Sequence, residues 1–183
     1  MIPTPKPGEL RLFVAVEFTP AAKRYLLSAM EKIRRVTVGG SFTPVENFHL
    51  TLAFIGETAK VEQAKAALAA VEFAPFSCTL GGGYGTFRAG EGKTLWLGMK
   101  EGSEPLAALA DKVASALRKE GFRIESRPFS PHITLARRVQ SVDLTPDPGS
   151  FPIRVERISL MRSDRSTQTG KMIYREIARQ PAK

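Results

Sequence analysis

The chain has 183 residues, 43% of them hydrophobic, and carries 27 Lys and Arg against 18 Asp and Glu, a net charge of +9. This composition suits one compact domain and excludes a disordered chain. A single cysteine, Cys78, excludes an intramolecular disulfide and a cysteine-based zinc site, and no apolar run approaches the ~18 residues of a membrane span.

In chain order, residues 1–9 hold Pro3, Pro5 and Pro7 and are expected to be disordered, with a single domain over 10–180. The first apolar stretch, Leu12 to Val16, is too short for a signal peptide, so a cytoplasmic location is expected. Arg11–Phe18 reads as a strand. Thr19 then offers an N-cap with Pro20 at the first helical position. Ala22, Leu26, Ala29, Ile33 and Val36 form a helical stripe that Gly39-Gly40 should end. A strand is predicted from Phe48 to Ile55. Thr58 can cap a further helix with Val61, Ala64, Leu68 and Val71 on one face. Phe76–Leu80 reads as strand, with Cys78 a small buried hydrophobe, and Gly81-Gly82-Gly83-Tyr84-Gly85 predicts a flexible turn.

The second half repeats the plan. Thr94–Met99 is a predicted strand, Ser103 an N-cap, and Leu106, Leu109, Val113 and Leu117 a helical stripe stopped at Gly121. Another strand surrounds His132, and two more are expected at Ile153–Met161 and Lys171–Ile177. The distance from cap to histidine is 30 residues in the first half (Thr19 to His49) and 29 in the second (Ser103 to His132). Strand, helix and His-bearing strand therefore occur twice, which reads as an internal duplication of two facing β-α-β lobes. Charge is unequal between the halves, +2 over residues 1–91 and +7 over 92–183. A basic face of this kind suits a polyanionic partner.

The chain has two histidines, and they lie in His49-Leu50-Thr51-Leu52 and His132-Ile133-Thr134-Leu135. For one histidine, Thr at +2 and Leu at +3 would arise by chance roughly 0.6% of the time, so the pair is a specific signal. Along a strand, residues i and i+2 share a face. Each His-Thr pair thus faces one way while the apolar residues between face the core. Two imidazoles and two hydroxyls converging on a groove suit a phosphate. One imidazole can act as base and the other, protonated, as acid, with the hydroxyls stabilising phosphoryl charge. Such a pair predicts a bell-shaped rate profile about neutrality. Gly92-Lys93-Thr94 is no phosphate loop, because Phe87 stands where the pattern needs glycine. No carboxylate beside either histidine suggests a metal site.

These motifs resemble the paired His-x-Thr-x signature of the 2H phosphoesterase superfamily, and within it the RNA 2′,3′-cyclic phosphodiesterases, also called 2′-5′ RNA ligases. The resemblance runs through Arg11–Ala15, Asn47–Glu57, Leu95–Met99 and Arg127–Arg137, in the family's order. Leu160, Ser163, Gly170 and Tyr174 match its C-terminal pattern, whereas Ser41-Phe42 replaces a frequent Arg-Trp. The resemblance implies a bilobal, pseudo-symmetric α+β fold, with antiparallel sheets lining a central groove and helices outside. It also implies a metal- and cofactor-free hydrolysis of RNA cyclic phosphate ends to 2′-phosphomonoesters.

By the same resemblance, His49 is the proton donor to the leaving oxygen and His132 the proton acceptor that activates water. Thr51 and Thr134 orient the phosphate, and Arg137 contacts it. Five residues separate Arg137 from His132, so a bulge near Ala136 is required to bring both to one face. Arg127 and the rings of Phe13 and Phe48 are candidates for the RNA backbone and for base stacking. A monomer is expected. Two alternatives stand beside hydrolysis: reversible 2′-5′ joining of RNA ends at the same site, and a non-catalytic module that binds RNA ends.

Overall fold

The computed structural model describes residues 6–166 and 170–183. Of the expected disordered segment, residues 1–5 lie outside the described residues. Residues 6–9 make a turn closed by the Glu9 amide on the Lys6 carbonyl. The elements in order are β1 (Leu10–Glu17), α1 (Pro20–Arg34), β2 (Thr37–Phe42), a short 3-10 turn (Val45–Asn47), β3 (His49–Thr58), α2 (Val61–Ala69), β4 (Phe76–Arg88), β5 (Lys93–Glu101), α3 (Ser103–Lys119), β6 (His132–Val142), β7 (Phe151–Val155), β8 (Arg157–Arg165) and β9 (Met172–Pro181). They build two antiparallel sheets, a four-stranded one in the order β3-β1-β8-β9 and a five-stranded one in the order β2-β6-β5-β4-β7.

Each sheet carries one His-x-Thr motif, so the bilobal α+β expectation holds. The lobes are not simple halves of the chain, however. β2 and β4 from the first half join the second motif's sheet, while β8 and β9 from the second half complete the first motif's sheet. One continuous core runs beneath both. Leu50, Leu52, Ile133 and Leu135 join Leu26 and Ile33 of α1, Leu68 of α2, and Leu106 and Val113 of α3 in a single buried cluster. The helices therefore cover the faces opposite the histidines. The four-stranded sheet is strongly curled. The Asn47 amide beside β3 donates to the Met172 carbonyl of β9 at 2.8 Å, although β3 and β9 are opposite edges of that sheet. No helix among the described residues is long and apolar enough to cross a membrane.

Local signals succeed where the side chains act locally. The Thr19 hydroxyl accepts from the Ala22 amide and caps α1, with Pro20 in the first turn. Elsewhere they mislead. Gly39 and Gly40 do not end a segment. They sit within β2 at φ +71° and +95°, where pairing to β6 supplies an edge strand, and Val36 lies beyond α1, exposed. Gly81 to Gly85 are not a flexible turn but the middle of β4, where the ladder slips between Leu80 and Tyr84. The residue before α3 that takes the cap position is Gly102, not Ser103, and Lys60 rather than Thr58 precedes α2. The expected strand Ile153–Met161 is split at Glu156 into β7 and β8, which belong to different sheets. Cys78 is buried, and desolvation pushes its thiol up to about 11.

Candidate active site

Both motifs are built the same way. His49 and His132 open β3 and β6, and each imidazole Nδ1 lies 2.7 Å from the carbonyl oxygen two residues earlier, on Asn47 and Ser130 respectively. A carbonyl only accepts, so Nδ1 must carry the proton. That leaves Nε2 as the working atom of each ring, a base when neutral and an acid when charged. Asn47 is itself fixed by its bond to Met172, so β9 braces the first histidine through the Asn47 backbone.

The strands then bulge in matching places. The ladder passes from Ala15↔Thr51 to Val14↔Ala53, skipping Leu52, and from Trp96↔Thr134 to Leu95↔Ala136, skipping Leu135. The skipped residue and its successor are buried together in both lobes. Parity therefore flips, and Arg137 returns to the face of His132 and Thr134, as the sequence required. Its counterpart in the first lobe is Phe54. The backbone then turns left-handed at Arg138 (φ +57°), and Val139 returns to the core. Among the described residues, the hydroxyls of Thr51 and Thr134 have no hydrogen-bond partner and the Arg137 guanidinium has no ion pair, so all three are available to a ligand.

The electrostatics join the lobes. Burial is the main cause that pulls His49 down to about 4, against the bond to Asn47. The positive charge of Arg137 and the presence of His132 and Lys23 lower it further. His132 is also lowered, by burial first and then by Arg137 and Arg127. Arg137 thus acts on both imidazoles, and both are neutral in the free site at pH 7. Burial thus disfavours the imidazolium in each lobe. Among the described residues, no group of three or more His, Cys, Asp or Glu side chains is placed to hold a metal ion.

The four proposed substrate contacts fare differently. Arg137 shares the face of His132, and its charge lowers both histidines. Arg127 lies at the rim, paired with Glu125 at 2.9 Å and close enough to His132 to depress it. Phe48 is 2% exposed and belongs to the core, so its ring offers no face to a base. Phe13 is 4% exposed, wedged against His49 at 4.9 Å and edge-on to Tyr174 at 5.2 Å. It shapes the first histidine's pocket rather than a stacking surface. The two phenylalanines are buried for different reasons: Phe48 faces the main core with Leu50, on the side opposite His49, whereas Phe13 lies on the His49 side in a small cluster with Ala15, Met161 and Tyr174. Sequence reasoning gave no role to Phe87 and Trp96, which flank His132 at 4.9 and 6.2 Å. The signal for them is their alternation with glycines on paired strands, legible only once β4 and β5 are known to pair.

Residues 26–167 match the family model of the 2′-5′ RNA ligase superfamily. The chain is similar to the RNA 2′,3′-cyclic phosphodiesterase of Archaeoglobus fulgidus, at 34% identity over 70% of this chain and 72% of that protein. It is also similar to the RNA 2′,3′-cyclic phosphodiesterase of Escherichia coli, at 34% identity over 76% of this chain and 78% of the relative. Its fold superposes on the crystal structure of Escherichia coli LigT complexed with 3′-AMP with a TM-score of 0.80, at 25% identity, covering 95% of this chain and 98% of the other.

Proposed function

The chain belongs to the 2′-5′ RNA ligase superfamily, and from that premise we propose that it hydrolyses RNA 2′,3′-cyclic phosphate ends to 2′-phosphomonoesters, with His49 and His132 as a metal-independent acid–base pair. The observation that carries this reading is the mirrored site: two imidazoles pinned through Nδ1, with Thr51, Thr134 and Arg137 on the same faces.

In this reading neutral His132 takes a proton from water through Nε2. The water oxygen bonds to phosphorus as the P–O3′ bond breaks, and protonated His49 delivers its Nε2 proton to O3′. The 2′ ester is untouched, so the product is a 2′-phosphomonoester. Charge that builds on the phosphoryl oxygens meets the two threonine hydroxyls and the Arg137 guanidinium. In the free site His49 is held neutral by burial. The cyclic phosphate is an anion, and its arrival beside His49 favours the imidazolium, so substrate binding itself loads the acid. A 5′-hydroxyl in place of water would form a 2′-5′ linkage with the same two proton transfers, which keeps end joining as the second reading.

The test is an oligoribonucleotide ending in a 2′,3′-cyclic phosphate, incubated with the protein in EDTA, with the product identified as 2′- or 3′-phosphate. A 2′-phosphate is expected. A 3′-phosphate would overturn the assigned bond cleavage, and activity lost in EDTA but restored by a divalent ion would overturn the side-chain mechanism. Tight binding with no turnover would leave only the end-binding module.

A further inference from the structure

The two sheets can be compared position by position through their registers. Opposite the threonines stand Ala15 in the first lobe and Trp96 in the second, and opposite the histidines Glu17 and Gly98. One strand further, Ser159 corresponds to Gly85 and Met161 to Phe87. The first lobe fills these positions with Ala15, Glu17, Ser159 and Met161, none of them aromatic, and its aromatic neighbour Phe13 is sealed from solvent. The second lobe lays an indole flat over two glycines. A Cβ on Gly85 would stand 2.2 Å from the Trp96 ring, so that position must lack a side chain for the ring to lie there, and one on Gly98 would stand 3.3 Å away, a tight fit. Phe87 packs on that ring at 5.1 Å and 30°, meets His132 in a T-shaped contact at 4.9 Å, and is 38% exposed.

Packing alone does not account for this. His49 is held by the buried Phe13 and the half-buried Tyr174, so a second-lobe histidine could be held without an indole laid over glycines. Among the described residues the Trp96 Nε1 has no hydrogen-bond partner although it is buried, a destabilising arrangement that an apolar side chain would avoid. The position therefore keeps tryptophan for its ring, not for its N–H. What the arrangement produces is one exposed aromatic face, stiffened from below, beside the imidazole of a phosphate site.

We propose that Phe87, supported by Trp96 on Gly85 and Gly98, is the stacking platform for the nucleobase of the nucleotide whose phosphate reacts. Base–aromatic stacking is tolerant of base identity, because every base has a π-face. The platform therefore accepts any of the four bases and discriminates a nucleotide from a bare ribose phosphate. This rests on the reading of the site as one for RNA ends.

Trp96 is the chain's only tryptophan, so its fluorescence reports the platform without any need for turnover. Adenosine 2′-monophosphate should change Trp96 emission and bind more tightly than ribose 2-phosphate. Phe87→Ala should remove roughly 5- to 150-fold of that preference, the range of one base–aromatic stack, and Phe87→Leu, which keeps bulk at an exposed position, should lose it too. Hydrolysis gives the parallel readout, with the nucleoside 2′,3′-cyclic phosphate compared against methyl riboside 2,3-cyclic phosphate in each variant. If the base preference survives intact in Phe87→Ala, or if wild type binds ribose 2-phosphate as tightly as the nucleotide, the platform is overturned. If the preference is present and lost in the variants while no cyclic phosphate is hydrolysed, the platform stands and the catalytic reading falls.

Discussion

The first lobe holds its histidine in a closed pocket. Phe13 and Tyr174 press on His49, Asn47 ties the strand entry to β9, and the Ser159 hydroxyl lies 2.8 and 2.7 Å from the Glu17 and Glu176 carboxylates across three strands. The second lobe holds His132 on an open floor of glycine and indole, with the loop bearing Arg127 at its edge. Identical motifs thus sit in unequal solvation, and the more buried imidazole is the more strongly depressed. The difference teaches that a repeated motif can keep its backbone geometry while its two copies diverge in burial and in the side chains packed around them.

Removing either histidine is the largest way to break this comparison. His49→Ala and His132→Ala should each lower kcat/KM by roughly 10²- to 10⁴-fold, the range for a positioned acid or base. The double variant should cost little more, because the two act as a unit. A substrate with sulfur at the leaving oxygen separates the roles, since a thiolate leaves unprotonated. It should rescue His49→Ala and not His132→Ala, and the opposite pattern would exchange acid and base between the lobes.

The mirrored position beyond the bulge comes next. Arg137→Ala should cost roughly tenfold to a hundredfold in kcat/KM, as expected for a hydrogen bond to a charged group. Phe54→Ala, at the equivalent place in the first lobe, should stay within about twofold, like other exposed substitutions. Equal losses in the two would mean that both lobes hold the phosphate.

Acidity sharpens the comparison further. The proposed mechanism needs one neutral and one charged imidazole, and burial lowers both from the ordinary 6.5. The optimum of kcat/KM, which reports the free protein, should therefore fall below pH 6.5, while that of kcat should lie higher because bound phosphate favours the imidazolium. A kcat/KM optimum above pH 7 would contradict the buried geometry.

The smallest effect is on stability. An unfolded histidine takes its proton near pH 6.5, whereas folded His49 resists until about 4. The unfolded state therefore binds more protons in that window, and stability falls as pH is lowered through it, by on the order of 3 kcal/mol at most. Denaturant midpoints at pH 7 and pH 4.5 should show this fall in wild type and a smaller one in His49→Gln. An unchanged fall in that variant would place the acid sensitivity elsewhere.

Much of this was legible in the chain itself. Strand parity and the twofold His-x-Thr pattern placed four polar groups on two facing surfaces. The five-residue gap to Arg137 demanded the bulge that β6 contains. The α1 cap and the helical stripes were readable for the same reason: they depend on residues within one or two turns of each other. Tertiary structure decided the rest. Whether Gly81 to Gly85 turn or continue as strand depends on β5, which pairs with Leu80 before the slip and with Tyr84 and Gly85 after it. Whether Phe13 is a sealed wall and Phe87 an open face depends on the curl that brings β9 back over β3 in one sheet and not in the other. Local sequence sets backbone parity through contacts between near neighbours. Exposure and desolvation, and with them the inequality of the two histidines, are sums over atoms brought together from distant parts of the chain.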